Sequence, residues 1–369
     1  MHNISLKTLT LTALKYPKTA VDIVLDPLLF NNKATPFPRL INCFITEACN
    51  FKCPMCHVVN SREMNKSNLP FSDFKKIVLE SKKHRPSFQL AGGEPLLHPD
   101  IIKMIKLLND NHMVNLIVTN GLLLEEKAQQ IIDSGLDYLA ISLDGPDEKT
   151  QYQRGYVKDS FDKIIKGIKK VVELRGSKTF PHIRIATVIS KYNLHNFEKI
   201  LNLAEDLGVD QWSLSHHYYY FKDIKNKQDI FTKKHNLKND IWGEYIGNSK
   251  SFLTEKERQL LNKKINFLKN YHPKNKLKIV LPSNLDIEKY YSGVDPGKNS
   301  KCVSPYRQVY IRGNGNIEIC QGNIIGNTKN NSIYQSWCGK TATHFRKIFQ
   351  KYPNMPGCFR CCSLDIKFN

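Results

Sequence analysis

The sequence has no apolar run of about 18 residues and few acidic side chains, and each absence narrows what it can encode. Without such a run, a membrane-spanning helix is not expected. The N-terminus lacks the charged, apolar and small-residue regions of a secretory signal, so export is not expected. Only 34 Asp and Glu accompany 55 Lys and Arg, giving a net charge of +21, which favours anionic partners. No nucleic-acid-binding signature accompanies this charge, so nucleic acid is not an expected partner.

The chain is long enough to bury a substantial core. Its 369 residues, 41% of them hydrophobic, suit one large domain with a smaller one. Ten cysteines lie mostly in close pairs and triplets, which in a chain without an export signal is typical of metal ligands rather than disulfides. We therefore expect a reducing, cytoplasmic location.

The most informative motif is a cysteine triplet. Cys49, Cys53 and Cys56 are separated by three and then two residues. A [4Fe–4S] cluster normally takes four cysteine ligands, so a cluster held by these three thiolates would keep one iron open to a substrate. Zinc, with the adjacent His57 as a fourth ligand, and disulfide pairing are alternative interpretations.

A second motif, Gly92-Gly93-Glu94-Pro95, follows a strand-like run about forty residues later. The glycines permit close backbone approach to a ligand, and Glu94 offers an acceptor for an ammonium group. Together the two motifs resemble those of the radical SAM superfamily. Met55 stands where that family often has an aromatic residue before the third cysteine.

The resemblance implies a cofactor set and several contacts. It implies that the triplet binds a [4Fe–4S] cluster, that the GGEP segment binds the amino group of S-adenosylmethionine, and that the enzyme cleaves this molecule reductively to a 5′-deoxyadenosyl radical. It also implies a flavodoxin- or ferredoxin-type reductant. Further cofactor contacts implied by position are Asn120, Ser142, Asp144 and Arg154. An Asn-Gly turn and a plain strand end are the alternative interpretations of the first three.

Short β-branched runs alternate with helical patterns, which predicts βα units and a parallel sheet. We predict an α/β fold, a partial (β/α)6 barrel of the TIM type, which is also the fold that the resemblance implies. The predicted strands are Arg39–Thr46, Ser87–Ala91, Val114–Thr119, Tyr138–Leu143, His182–Ile189 and Gln211–Ser215. The predicted helices are Ser72–Lys83, Asp100–Asn111, Glu125–Ser134, Ser160–Arg175 and Leu194–Leu207.

Function in such barrels lies on the loops after the carboxyl ends of the strands. The triplet, the GGEP segment, Asn120 and the Ser142–Asp144 segment follow strands one to four in turn. His216, His217 and Tyr218 follow strand six and are predicted to lie at the barrel mouth, where a His or Tyr side chain can accept a substrate proton. Packing is the alternative role for these aromatic rings.

The C-terminal part contains a second cysteine set. A strong hairpin turn at Gly313–Asn316 is expected to bring Cys302 and Cys320 together, and Cys358 and Cys361 complete four thiolates. Such a site suits zinc or a second iron–sulfur cluster, and Cys362 is an alternative to Cys361. The spacing is similar to that of SPASM/twitch auxiliary domains, which implies a single auxiliary [4Fe–4S] cluster acting as an electron relay.

These features divide the chain into four parts. We predict an N-terminal extension over 1–38, a radical SAM core over 39–221, a bridging helical region over 222–300 and an auxiliary cluster domain over 301–369. The bridging part includes a helix over Thr254–Tyr271 whose Thr254 and Glu257 form a capping-box pattern. The apolar stretch Ile4–Leu29 is expected to pack against its own domain, with contact to a membrane or lipid-bearing substrate as the alternative.

The leading functional hypothesis is an oxidoreductase of the dehydrogenase or C–H-modifying type. It would act at an unactivated C–H position of a small anionic or sugar-like metabolite, because the short N-terminal extension leaves little room for a separate peptide-binding domain. Three other hypotheses stay open: a peptide or protein maturase, an enzyme that modifies a lipid or polysaccharide precursor, and a non-enzymatic iron–sulfur sensor or electron carrier.

Overall fold

The structure is a computed structural model, and the parts of it described are residues 13–30, 33–56, 67–155, 157–218, 222–237, 253–282, 287–292, 302–320, 322–353 and 355–360. Six parallel strands form its centre, each paired with the next along the chain. They are β1 Leu40–Thr46, β2 Ser87–Gly92, β3 Asn115–Thr119, β4 Tyr138–Ser142, β5 His182–Val188 and β6 Gln211–Ser215. All six predicted strands are confirmed, within one residue at each end.

Helices connect these strands and cover the sheet. Those of the central part are Phe71–Ser81, Ile101–Asp110, Leu124–Asp133, Glu148–Gln151, Ser160–Arg175 and Phe197–Asp206, with short 3-10 turns at Pro95–Leu97, Tyr152–Arg154 and Leu194–Asn196. The predicted helix Leu194–Leu207 therefore begins with a 3-10 turn. Alternating strands and helices around a parallel sheet confirm the α/β class, and the partial barrel is the arrangement that the periodicity predicts.

The sheet continues beyond the six strands on both sides. The order among the described residues is β10-β9-β8-β1-β2-β3-β4-β5-β6-β7. Strand β7, Lys278–Val280, pairs with β6. Strand β8, Gln308–Ile311, pairs in parallel with β1 and antiparallel with β9, Asn316–Cys320, and β10, Asn323–Asn327, closes this edge. The predicted hairpin is thus an extension of the barrel sheet.

The remaining helices lie before and after the central part. They are Pro17–Leu29, Lys222–Lys234, Glu255–Lys269, Ile287–Ser292, Ser304–Arg307, Ile333–Cys338 and Lys340–Lys351, followed by a 3-10 turn at Pro356–Arg360. The predicted capping box is present: Thr254 Oγ1 accepts from Glu257 N, and the Glu257 carboxylate accepts from Thr254 N.

The core is formed by apolar side chains of both the strands and the helices. Ile41, Leu90, Ile117 and Leu139 on neighbouring strands are fully buried, as expected for a parallel sheet covered on both faces. Cys43 in β1 is also fully buried. A rigid sheet of this kind fixes the positions of the loops at its carboxyl edge.

The N-terminal helix differs from the expectation only in the residues through which it packs. Helix Pro17–Leu29 packs through its polar residues, since Arg39 forms ion pairs with Asp22 and Asp26 at 2.8 and 2.7 Å. Its aliphatic side chains are largely exposed. The helix thus packs against its own domain as expected, but it does so through polar residues, and residues 4–12 lie outside the described residues.

Candidate active site

The three-cysteine loop leaves β1 at the carboxyl edge of the sheet. Cys53 O accepts the backbone N–H of Cys56 at 3.0 Å, which closes a tight turn with these two cysteines at its ends. Cys49 Sγ accepts the N–H of Phe51 at 3.4 Å. All three cysteines are half-buried, whereas Phe51 is fully buried and anchors the loop. The loop therefore presents three thiols on a fixed backbone.

The two glycines of the GGEP segment pack against the start of this loop. A Cβ added at Gly92 would lie 2.1 Å from Thr46 O, and one at Gly93 would lie 2.2 Å from Ala48 O. The N–H groups of Gly93 and Glu94 donate to the same two carbonyls at 2.8 Å. The close approach that these glycines permit is thus to the chain's own backbone, and it joins the exit of β2 to the cysteine loop.

The Glu94 carboxylate is almost fully buried and accepts three hydrogen bonds from the protein itself. Leu96 N donates to Oε1 at 3.0 Å, Thr119 Oγ1 donates to Oε1 at 2.6 Å, and Asn120 N donates to Oε2 at 2.7 Å. Burial raises the pKa of the Glu94 carboxyl, while these bonds act to lower it. The side chain predicted to receive a ligand ammonium therefore holds the loop after β3 in place.

Asn120 links that loop to the cysteines. Its Nδ2 donates to Asn50 Oδ1 at 2.7 Å and lies 4.0 Å from Cys49 Sγ. Its Oδ1 accepts from Leu122 N at 3.0 Å. The predicted cofactor contact Asn120 and the predicted ligand Cys49 are brought together.

Asp144 and Arg154, both predicted contacts, form a buried ion pair beside the cysteine loop. Arg154 Nε lies 2.6 Å from Asp144 Oδ2, with side-chain exposures of 13% and 0%. Asp144 Oδ1 accepts from Val188 N at 2.7 Å. Gly155 packs on the loop, where an added Cβ would lie 2.7 Å from Lys52 O. Ser142 is half-buried at the end of β4.

Burial and nearby charges have opposite effects on the pKa values of the side chains in the cysteine loop. Burial raises the pKa of the Cys53 thiol to about 12, and Arg154 acts against this rise. Burial also raises the pKa of Cys49, opposed by the Phe51 N–H. For Arg154, burial acts to lower the pKa, but Asp144 and Cys53 raise it overall. The guanidinium is therefore held charged next to thiols that need a counter-charge when they ionise.

The donor set fits an iron–sulfur cluster better than one metal ion. Among the described residues, no three His, Cys, Asp or Glu side chains converge on a single ion position. A [4Fe–4S] cluster makes no such demand, because each thiolate binds a different iron. Three soft thiols with a fixed cation beside them suit this cluster. The zinc alternative relied on His57, which lies outside the described residues.

The residues predicted at the barrel mouth are placed differently from one another. His216 is 1% exposed, and its Nδ1 lies 3.0 Å from the hydroxyl of Tyr291. His217 and Tyr218 are half-buried, and the hydroxyl of Tyr290 donates to His217 O at 3.1 Å. His216 is thus packed under helix Ile287–Ser292, whereas His217 and Tyr218 keep partial access to solvent.

The C-terminal cysteines lie in the part of the chain that extends the sheet. Cys302 and Cys320 are half-buried, one just before helix Ser304–Arg307 and the other at the end of β9, and both pack against the core. Cys358 is buried within the 3-10 turn Pro356–Arg360. The predicted ligand Cys361 and its alternative Cys362 lie outside the described residues.

Several supporting side chains escaped prediction. Gln151 Oε1 accepts from the N–H groups of Asp144 and Gly145 at 2.9 and 3.2 Å, and Asn193 Nδ2 donates to Asp144 O at 3.0 Å. Thr119, which also supports the site, is next to the predicted residue Asn120, so its place in the sequence could have pointed to it. No spacing pattern pointed to Gln151 or Asn193, because their contact with Asp144 depends on how the chain folds.

A partial α/β barrel with a three-thiol loop at the carboxyl edge of its strands defines a class of barrel proteins with a metal-cluster site. The family comparison is more specific. Residues 43–204 match the model of the Radical SAM superfamily, so this part of the chain is a radical SAM domain. Proteins of this family use a [4Fe–4S] cluster and S-adenosylmethionine.

Curated relatives share the central part of the chain. A probable GTP 3′,8-cyclase of Methanococcus maripaludis is 35% identical over 138 residues, covering 37% of this chain and 46% of the relative. Pre-heme d1 synthase of Dinoroseobacter shibae is 28% identical over 197 residues, covering 53% of this chain and 47% of the relative. The chain thus spans just under half the length of these relatives.

Solved structures share the fold over more of the chain. SuiB of Streptococcus suis, in a structure bound to S-adenosylmethionine, is 17% identical with a TM-score of 0.63, covering 93% of this chain and 76% of SuiB. Another structure of SuiB contains the precursor peptide SuiA. At this identity the likeness shows the fold alone, and that fold is the predicted partial barrel.

Proposed function

We propose that this radical SAM enzyme oxidises or otherwise modifies an unactivated C–H position of a small anionic or sugar-like metabolite. The observation that carries the proposal is the cysteine loop, which is held by Gly93 after β2, Asn120 after β3 and Gly155 after the 3-10 turn Tyr152–Arg154. When bound, the [4Fe–4S] cluster and S-adenosylmethionine supply a 5′-deoxyadenosyl radical that abstracts hydrogen.

The residues of this chain would divide the work as follows. Cys49, Cys53 and Cys56 would hold the cluster, and Arg154, kept charged by Asp144, would offset the negative charge of the thiolates. The backbone carbonyls of the Gly92–Pro95 segment, with Ser142, would orient the amino-acid part of S-adenosylmethionine. Glu94 would act without touching the cofactor, because its hydrogen bonds keep the Asn120 loop against the cysteines.

A proton released from the oxidised substrate needs an acceptor near the barrel mouth. His217 and Tyr218 are half-buried at the end of β6, so we propose one of them as that acceptor. His216 would position helix Ile287–Ser292 through its contact with Tyr291. The net charge of +21 supports an anionic substrate, since a positive field attracts one.

We further propose that Cys302, Cys320, Cys358 and Cys361 hold one auxiliary [4Fe–4S] cluster. The continuity of β8, β9 and β10 with the barrel sheet supports a fixed path for an electron between the two sites. A flavodoxin- or ferredoxin-type protein is the proposed reductant, in a cytoplasmic setting.

Peptide maturation is a second candidate. It is favoured by the fold similarity to SuiB, which spans 93% of this chain and thus also its C-terminal part. A peptide substrate would need a groove reaching beyond the barrel mouth, whereas a metabolite would not.

Anaerobic reconstitution tests the proposal. We expect about eight irons per chain from two [4Fe–4S] clusters, and 5′-deoxyadenosine on addition of S-adenosylmethionine and dithionite. Cys53→Ser should lose about four irons and all 5′-deoxyadenosine, whereas Cys358→Ser should lose about four irons only. The matched control is Cys338→Ser, which replaces an exposed cysteine outside both sets. Colourless protein, or zinc bound to the triplet, would contradict the proposal.

A further inference from the structure

The N-terminal helix exposes apolar side chains on one side. Leu14, just before the helix, is 79% exposed. Within the helix, five aliphatic side chains are between 42% and 77% exposed: Val21, Val24, Leu25, Leu28 and Leu29. At 100° per residue they occupy an arc of about 140° around the helix axis. A surface helix of a globular protein normally buries its apolar face and exposes its polar one, so this helix shows the reverse.

Buried polar contacts fix the helix in this orientation. Arg39 pairs with Asp22 and Asp26 at 2.8 and 2.7 Å. Arg307, itself buried, donates from Nη2 to the carbonyl oxygens of Asp26 and Phe30 at 3.2 and 2.7 Å. Rolling the aliphatic face inward would leave these buried charges without partners, which is strongly unfavourable.

A cation cluster, formed by Lys15, Lys18 and Arg85, lies beside the first turn of the same helix. With His112, these three side chains line a pocket of about 260 Å³. Lys15 has a counter-ion in Asp137, whereas the hydrogen bond of Lys18 Nζ within the described part of the chain is to a carbonyl, Lys83 O, at 2.7 Å. The acidic residues of the helix, Asp22 and Asp26, are already paired with Arg39. An occupant of this surface must therefore offer both apolar contact and negative charge.

The positive charge of this surface distinguishes between the molecules that could cover it. A second copy of the chain would bring the same cations to the contact, and the first 12 residues of this chain contain no Asp or Glu. Neither supplies the missing charge. Leu14 and Leu28 are 79% and 77% exposed, so they protrude instead of lining a groove of the kind that receives a partner helix. Protruding aliphatic side chains flanked by cations suit the interface of a bilayer.

We propose that helix Pro17–Leu29 binds the surface of a membrane that contains anionic lipids, with its aliphatic side chains inserted and the cation cluster on the lipid phosphates. Among the described residues, no helix has the length and apolar character needed to cross a bilayer. Lying in the plane of the interface requires neither. The proposal is independent of the chemistry at the barrel mouth.

Flotation of the full-length, reconstituted protein with vesicles tests this. We expect it to float with vesicles of phosphatidylcholine mixed with phosphatidylglycerol, and much less with phosphatidylcholine alone. The double variant Leu25→Gln/Leu28→Gln should lower partitioning about tenfold or more, because two leucines no longer insert. Ile230→Gln is the matched control, since Ile230 is 68% exposed on helix Lys222–Lys234.

The charge contribution is tested by Lys18→Gln/Arg85→Gln, which should weaken binding to the anionic vesicles, with Lys163→Gln as control. High salt should weaken it as well. A tryptophan at position 28, in Leu28→Trp, should shift its emission to shorter wavelength when anionic vesicles are added. This readout locates the contact on the helix itself.

Four results would overturn the proposal. The first two are that wild-type protein floats with neither vesicle, or that the Leu25→Gln/Leu28→Gln variant floats like wild type. The third is that the wild type is a dimer and the double variant a monomer. The fourth is that the double variant melts at a lower temperature than wild type while Ile230→Gln does not. The third result would assign the face to a second copy, and the fourth to cover by another part of the chain.

Discussion

At the scale of single residues, the GGEP segment shows how a motif predicted to bind a cofactor can also shape its own site. Gly93 has no room for a side chain because Ala48 O would lie 2.2 Å from its Cβ. The hydrogen bonds that the Glu94 carboxylate accepts within the described residues come from Leu96, Thr119 and Asn120. Each residue thereby holds the cysteine loop to a neighbouring strand end.

The substitution Glu94→Gln tests this structural role. Whichever way the amide is oriented, its NH2 group faces a backbone N–H of Leu96 or Asn120, so one buried donor loses its acceptor. We expect the free energy of unfolding to fall by about 1–3 kcal/mol, measured by chemical denaturation under anaerobic conditions. Glu126→Gln, on the exposed side of helix Leu124–Asp133, is the control. An unchanged stability would mean that Glu94 is available to a ligand.

At the scale of secondary structure elements, local patterns predicted the elements well and their partners poorly. Helix Ser160–Arg175 and strand β6, Gln211–Ser215, have the predicted bounds, because periodicity and end residues act within a few positions of the chain. That β8 pairs with β1, across more than 260 residues of sequence, has no local signal. The capping box at Thr254 is a local feature of this sort, because its two residues are three positions apart.

The capping box gives an element-scale prediction. Thr254→Ala removes the acceptor of Glu257 N, seen at 3.3 Å, and should lower the free energy of unfolding by about 1 kcal/mol. Thr254→Ser keeps the hydroxyl and should keep most of the stability. Equal losses in the two variants, measured by urea denaturation, would attribute the effect to the threonine methyl group instead of the cap.

At the scale of the whole molecule, one buried histidine links the segment before helix Phe71–Ser81 to the turn after β2. His98 is 2% exposed; its Nε2 lies 3.1 Å from Leu69 O, and its Nδ1 accepts from Asp100 N at 3.1 Å. This pair of contacts requires the neutral ring with the proton on Nε2. Burial lowers the pKa of His98.

The sign of the pH dependence follows from that shift. Above the unfolded pKa of about 6.5, the ring is neutral in both states and its contribution to stability is complete. Below it the unfolded chain binds the proton first, so stability falls until the pH reaches the folded pKa. We expect the wild type to lose more stability than His98→Gln between neutral and mildly acidic pH, in denaturant titrations. His195→Gln, at an exposed position, should behave like wild type.

Periodicity was sufficient for the βα units and the strand ends of the partial barrel, and the resemblance of two short motifs was sufficient to indicate the superfamily. Both signals are properties of neighbouring residues in the chain. The uses of Glu94 and His216 and the outward aliphatic face of the N-terminal helix emerged only from the folded chain. Each depends on which distant backbone groups and charges come within hydrogen-bond distance, and no local pattern encodes that.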